Sequence, residues 1–158
     1  QTYFSADFNN LDLSAWTNID NDADAPPASG TNYDIWYATD FSANFPTLGA
    51  GSAVSRSWAN NVAYTPDNIL ISPMIDLTAV PSTGLTLLFK TGTIEGSPFH
   101  AEYYAVYVTT GNTLGDVTSA TAVYETTLAT PQAMGDVTVD LTAFVGQQVY
   151  IAFRHYMT

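Results

Sequence analysis

Three carboxylates stand at alternate positions in Asp20-Asn21-Asp22-Ala23-Asp24. The chemistry open to such a run is the capture of one hard cation. Calcium takes about six to eight oxygens at roughly 2.3–2.6 Å, and backbone carbonyls and water complete what side chains begin. The run is not an EF-hand, because Ala25 occupies the position where that loop needs glycine and Thr31 the position of its closing glutamate. Pro26 and Pro27 stiffen the segment that follows. Magnesium suits an all-protein cage less well than the larger, geometrically looser ion. The competing reading is a solvated acidic loop that serves solubility alone.

Other chemistry-bearing residues are sparse. His100, Glu102 and His155 suggest zinc, but two histidines without any cysteine make a poor ligand set. Glu102 and Arg154 are expected to pair with each other, because each lies among apolar neighbours where a lone charge would be costly. Serines abound, yet there is no G-x-S-x-G motif and no base is evident beside any of them. Glu95, Glu102 and Glu125 sit in no setting that marks an acid pair for glycoside cleavage, and no glycine loop cradles phosphate. The expectation is a protein that is not an enzyme. Trp16 and Trp58 are assigned to packing. Trp36 and Tyr37 are the expected ligand-binding pair, exposed together with Phe41 and Phe45.

These residues need a scaffold, and the pattern of the chain supplies one. Apolar residues recur at period two or in short runs, interrupted by Gly, Pro, Asn, Asp and Thr, which is an all-β pattern. The clearest strands are 85–91, 103–109 and 148–156. Weaker ones fall at 2–5, 16–19, 35–38, 53–58, 68–72, 122–127 and 136–140. Roughly ten short strands without crossover helices favour a jelly-roll β-sandwich of two antiparallel sheets. The polar segment 21–32 reads as loop, and 141–146 as a helical turn that Asp140 caps and Gly146 ends.

Composition narrows the function classes. The 158 residues carry 15 acidic and 3 basic side chains, a net charge of -12, which opposes nucleic acid and anionic lipid. An apolar fraction of 46% with 13% aromatic residues belongs to a globular chain. No apolar stretch approaches the roughly 20 residues that span a bilayer, so no membrane insertion is expected, and no signal-peptide pattern starts at Gln1. Absence of cysteine rules out disulfides and thiol chemistry. The acidic, turn-rich composition points outside the cell.

Several stretches, in order, resemble the cleaved-adhesin domains attached to gingipain-type proteases and the related choice-of-anchor J domains of Bacteroidetes surface proteins. They are Phe4-Ser5-Ala6-Asp7-Phe8, Trp16 through Asp24, Thr65 through Pro73, Glu102 through Thr110, and Val139 through Tyr156. The chain departs from the family pattern at Asn9, where glutamate is usual, and at Ala23, where glycine is usual. The resemblance implies a jelly roll, secretion or cell-surface attachment, structural calcium, and adhesion instead of catalysis. Carried onto this chain, it makes Asp20, Asp22, Asp24 and Asp7 the metal candidates. Expected partners are a host or matrix protein or a glycan, and other domains of a parent chain. One β-sandwich domain over residues 1–158, lacking the family's final strand, is the expected organisation.

Overall fold

The computed structural model describes residues 1–25 and 31–157. The strands are β1 (Thr17–Asp20), β2 (Tyr37–Thr39), β3 (Ser52–Val54), β4 (Trp58–Ala59), β5 (Val62–Ala63), β6 (Asp67–Ile71), β7 (Ile75–Asp76), β8 (Thr86–Thr93), β9 (Tyr103–Thr109), β10 (Tyr124–Thr127), β11 (Ala133–Asp140) and β12 (Gln148–Tyr156). The one α-helix among the described residues is α1 (Leu114–Thr118). The main sheet runs β1-β6-β12-β9-β10, with β7 also on β12, and every pairing is antiparallel. β8–β11, β2–β3 and β4–β5 form separate two-stranded antiparallel sheets. The architecture is an all-β sandwich.

The central strands read as nearly continuous apolar runs because both of their faces are covered. Val149, Ile151, Val106 and Val108 enter one core together with Val139, while Leu87, Phe89 and Val137 of β8 and β11 pack against it. Ala152, Ala105, Tyr107, Ile69 and Ile71 enter a second core on the other face, against Val117 of α1. Thr113 and Asp116 cap α1 reciprocally, which lets so short a helix close over that face.

Strand β9 and strand β12 match the expected spans, whereas 2–5 forms no strand and 53–58 divides into β3 and the start of β4. The helical turn after Asp140 is present as a 3₁₀ turn over Thr142–Phe144, with Asp140 accepting from the Thr142 amide at 2.8 Å. Of the loop expected over 21–32, residues 26–30, with Pro26 and Pro27, lie outside the described residues. Trp58 departs from its packing assignment and is 56% exposed. It opens a hairpin whose Asn60 and Asn61 both have positive φ (52° and 62°), as a tight primed turn requires. Trp16 does pack, with its ring 6.1 Å from Phe4 and 5.3 Å from Phe8.

Candidate metal centre and the polar layer beside it

Strand β1 ends in the acidic run, and its register against β6 sets Asp20 opposite Asn68. The loop then folds back on itself. Asp20 accepts from the Asp22 amide at 3.2 Å, Asp22 from the Asp24 amide at 2.8 Å, and the second Asp22 oxygen from the Asp67 amide at 2.9 Å. Asp34 approaches from the segment before β2. The neighbouring Trp36 fixes that segment by donating its indole N–H to the Asn68 carbonyl at 3.0 Å, while Asn18 donates to the Trp36 carbonyl at 2.7 Å.

Asp20, Asp22 and Asp34 thereby bring one carboxylate oxygen each within 4.8 Å of the others. Two oxygens on one calcium ion stand at most about 5 Å apart, twice the bond length, so a single ion can reach all three. Asp34 is 1% exposed, and neither of its oxygens has a hydrogen-bond partner among the described residues. Burial, reinforced by the charges of Asp20, Asp22 and Asp24, pushes its carboxyl up to about 6. A buried carboxylate without donors costs free energy unless something positive meets it. The donor set is all oxygen, which suits a hard cation and not zinc.

The other expected site residues are placed differently. Asp24 turns its carboxylate to Thr65, accepting from both the backbone amide and, at 3.2 Å, the hydroxyl. Asp7 lies outside the cluster and lines a separate concavity of about 400 Å³ with Asn9, Asn10, Asp12 and Trp16. Trp36 and Tyr37 are half-buried, as are Phe41 and Phe45. Tyr37 accepts at its hydroxyl from Arg56 Nε, and its ring lies edge-on to Tyr33 at 5.1 Å. Asp34 escaped the sequence reading because it stands alone; the available signal was one carboxylate inside the aromatic run Tyr33-Asp34-Ile35-Trp36-Tyr37.

A second polar group lies between β12 and the segment after β3. His155, 4% exposed, bonds Ser55 Oγ through Nδ1 at 2.7 Å and Glu102 through Nε2 at 3.0 Å, while Ser57 donates to the other Glu102 oxygen. Glu102 therefore pairs with His155, not with Arg154. The reason is strand parity: the register sets Arg154 opposite Ala105 and His155 opposite Tyr104, so Glu102 shares the face of His155. Arg154 instead grips Asp67 with two hydrogen bonds of 2.6 and 2.8 Å. Burial works against the Asp67 carboxylate, but Arg154 and Asn21 hold it below the usual range. Burial likewise opposes the lowered Glu102 carboxyl, and the His155 and Ser57 bonds outweigh it.

The Ser55–His155–Glu102 row has the order of a hydrolase triad, a base beside a serine that the sequence did not reveal. It braces the segment after β3 against β12, and Ser55 Oγ also receives the Asn68 side-chain amide at 3.1 Å, which ties the same segment to β6.

The Cleaved Adhesin Domain family profile matches residues 2–158. The chain belongs to that family. Two Hemagglutinin A sequences of Porphyromonas gingivalis are 31% and 34% identical, the second from strain W83, each over 89% of this chain. The chain spans only 6% and 7% of those relatives. The crystal structure of the K1 cleaved adhesin domain of Lys-gingipain from P. gingivalis W83 matches with a TM-score of 0.71 and 30% identity over 96% of this chain and 86% of that one. The K3 domain of the same protein matches with a TM-score of 0.64 and 27% identity, over 96% and 85%. No helix among the described residues is long and apolar enough to cross a membrane.

Proposed function

We propose that this cleaved-adhesin domain is a non-catalytic adhesion module of a secreted or surface-attached bacterial protein, with a structural calcium ion held by Asp20, Asp22 and Asp34. The observation that carries the metal reading is the buried, partnerless carboxylate of Asp34, aimed at two other carboxylates. An ion there supplies positive charge that offsets the burial and mutual repulsion of the three acids. Asp24 serves the same loop from outside the cluster by tethering it to Thr65. Adhesion is supported by the family and by relatives named for haemagglutination. Binding without chemistry needs only loops set on a rigid scaffold, and the two covered faces of the main sheet provide one. The target class is a host or matrix protein or a glycan.

The test couples the purified module to beads and scores agglutination of erythrocytes in calcium and in chelator. Agglutination that needs calcium and is lost in Asp34→Ala supports the reading. A folded, calcium-loaded module that never agglutinates returns the domain to a spacer role in a larger surface protein.

A further inference from the structure

Asn68 stands where three acid-bearing segments meet β6. The register of β1 sets Asp20 directly opposite it, and the Asp22 carboxylate accepts from the amide of the preceding Asp67. Trp36, two residues after Asp34, donates its indole N–H to the Asn68 backbone carbonyl. The three acids of the metal centre are thus brought to one stretch of β6. Asn68 is 1% exposed, and its side-chain oxygen, Oδ1, is buried without a hydrogen-bond partner among the described residues. An unpaired buried amide oxygen is costly, and ionised carboxylates near it offer acceptors only.

The nitrogen of the same amide shows which way the oxygen faces. On the side of β6 away from β1, the register sets His155 of β12 opposite Asn68. Asn68 Nδ2 donates to Ser55 Oγ at 3.1 Å, and Ser55 Oγ lies 2.7 Å from His155 Nδ1. The nitrogen is therefore turned toward β12, and because the two ends of a planar amide diverge, Oδ1 is turned toward β1, where Asp20 stands. The order of protons along the row follows. An NH2 group only donates, so Ser55 accepts from Asn68 and gives its own proton to His155 Nδ1. His155 then carries its proton on Nε2, which donates to Glu102 at 3.0 Å. With the amide reversed, Ser55 would give its proton to Asn68, and His155 Nδ1 would need one of its own.

We propose that the Asn68 side-chain carbonyl is a further ligand of the cation held by Asp20, Asp22 and Asp34, and that Ser55, His155 and Glu102 are positioning residues that keep its oxygen turned to the ion. The inference rests on the metal reading above and deepens it. A neutral ligand suits the place: three carboxylates already exceed the two charges of calcium, and an amide oxygen joins the shell without adding charge. The row that has the order of a hydrolase triad thereby gains a use without bond-breaking chemistry. It orients a ligand, as hydrogen-bonded groups behind metal ligands do.

Calcium affinity is read by calorimetry on the whole module, and europium(III), another hard cation, reports how many waters it carries through its luminescence decay in light and heavy water. Asn68→Ala is expected to weaken calcium binding by about tenfold and to admit one more water to bound europium than the wild type does. Asn68→Asp returns an oxygen to the same place and is expected to restore the wild-type water count. Ser55→Ala frees the amide to turn and is expected to weaken calcium binding by about threefold with the water count unchanged, while Ser55→Thr keeps the hydroxyl and the affinity. Nitrogen NMR of the calcium-loaded wild type is expected to find the His155 proton on Nε2. A wild-type water count in Asn68→Ala, wild-type affinity in Ser55→Ala, or a His155 proton on Nδ1 in calcium overturns the proposal. Should Asn68→Ala fail to fold, the Ser55 pair and the His155 proton decide it. The two readings fail differently. A wild-type module that takes up neither calcium nor europium overturns the metal reading and this inference together, whereas uptake that Asn68→Ala leaves unchanged overturns this inference alone.

Discussion

Asp34→Asn is expected to make the metal-free protein more stable and the calcium-loaded protein less so. The buried carboxyl of Asp34 is pushed up to about 6 from an ordinary 3.8, first by burial and then by the charges of Asp20, Asp22 and Asp24. Its folded pKa lies above its unfolded one, so its contribution to stability is fully present below about pH 4 and is lost as pH rises through about 6. At neutral pH a shift of this size corresponds to about 3 kcal/mol against the folded state. Asparagine removes the charge but buries an unpartnered amide, which returns about 1–2 kcal/mol of that cost. The net gain is about 1–2 kcal/mol, a melting temperature higher by roughly 2–8 °C in a domain of this size. Calcium at about 100 times its Kd adds about 2.7 kcal/mol to the wild type and far less to the variant. The order of the two melting curves should therefore invert between chelator and calcium at pH 7. A variant that melts below the wild type in chelator, or an equal calcium shift in both proteins, refutes the reasoning.

The same linkage predicts that the metal-free wild type melts at a higher temperature at pH 5 than at pH 7 and that saturating calcium flattens this difference, read by calorimetry in both states. Below about pH 4 the sign reverses, because the lowered carboxyls of Asp67 and Glu102 stabilise only while ionised, and acid unfolding should set in there. Asp67→Ala strands the Arg154 guanidinium, whose side chain is 16% exposed, and is expected to cost about 3 kcal/mol in urea unfolding with little change in m-value. Gly51→Ala would set a Cβ 1.9 Å from the Phe8 carbonyl oxygen, so the N-terminal segment must move, and a loss of several degrees in melting temperature is the expected reading.

Strands β9 and β12 were legible to the residue because alternation along each assigns every side chain to one of two cores, and a register slip would send Val149, Ile151 and Phe153 to the wrong face. The expected Glu102–Arg154 pair fails once the strand register is known, since residues 102 and 154 fall on opposite faces when His155 is set against Tyr104. That parity depends on which strands are neighbours, which local pattern does not reveal. Trp58 was misplaced for a related reason: a two-residue strand beside a tight turn carries too little periodicity to show which way an indole faces. The acidic run was visible as a candidate, but Asp34 enters only through the tertiary fold, delivered by a segment that Trp36 pins to β6.

Neither Asp34 nor Arg56 meets an opposite charge among the described residues, and both stand on chain segments tied to β6. Asp34 comes with the segment whose Trp36 bonds the Asn68 carbonyl, and Arg56 with the segment whose Ser55 receives the Asn68 amide. Asn68 is itself 1% exposed and is held in register between β1 and β12. A fold selected for stability alone would have little use for a buried carboxylate that lacks a partner among the described residues. Local departures from polar satisfaction concentrate where a protein meets something else. The sheet fixes where Asp20, Asp22 and Asp34 stand, and the proposed cation is what would offset the unmatched charge of Asp34.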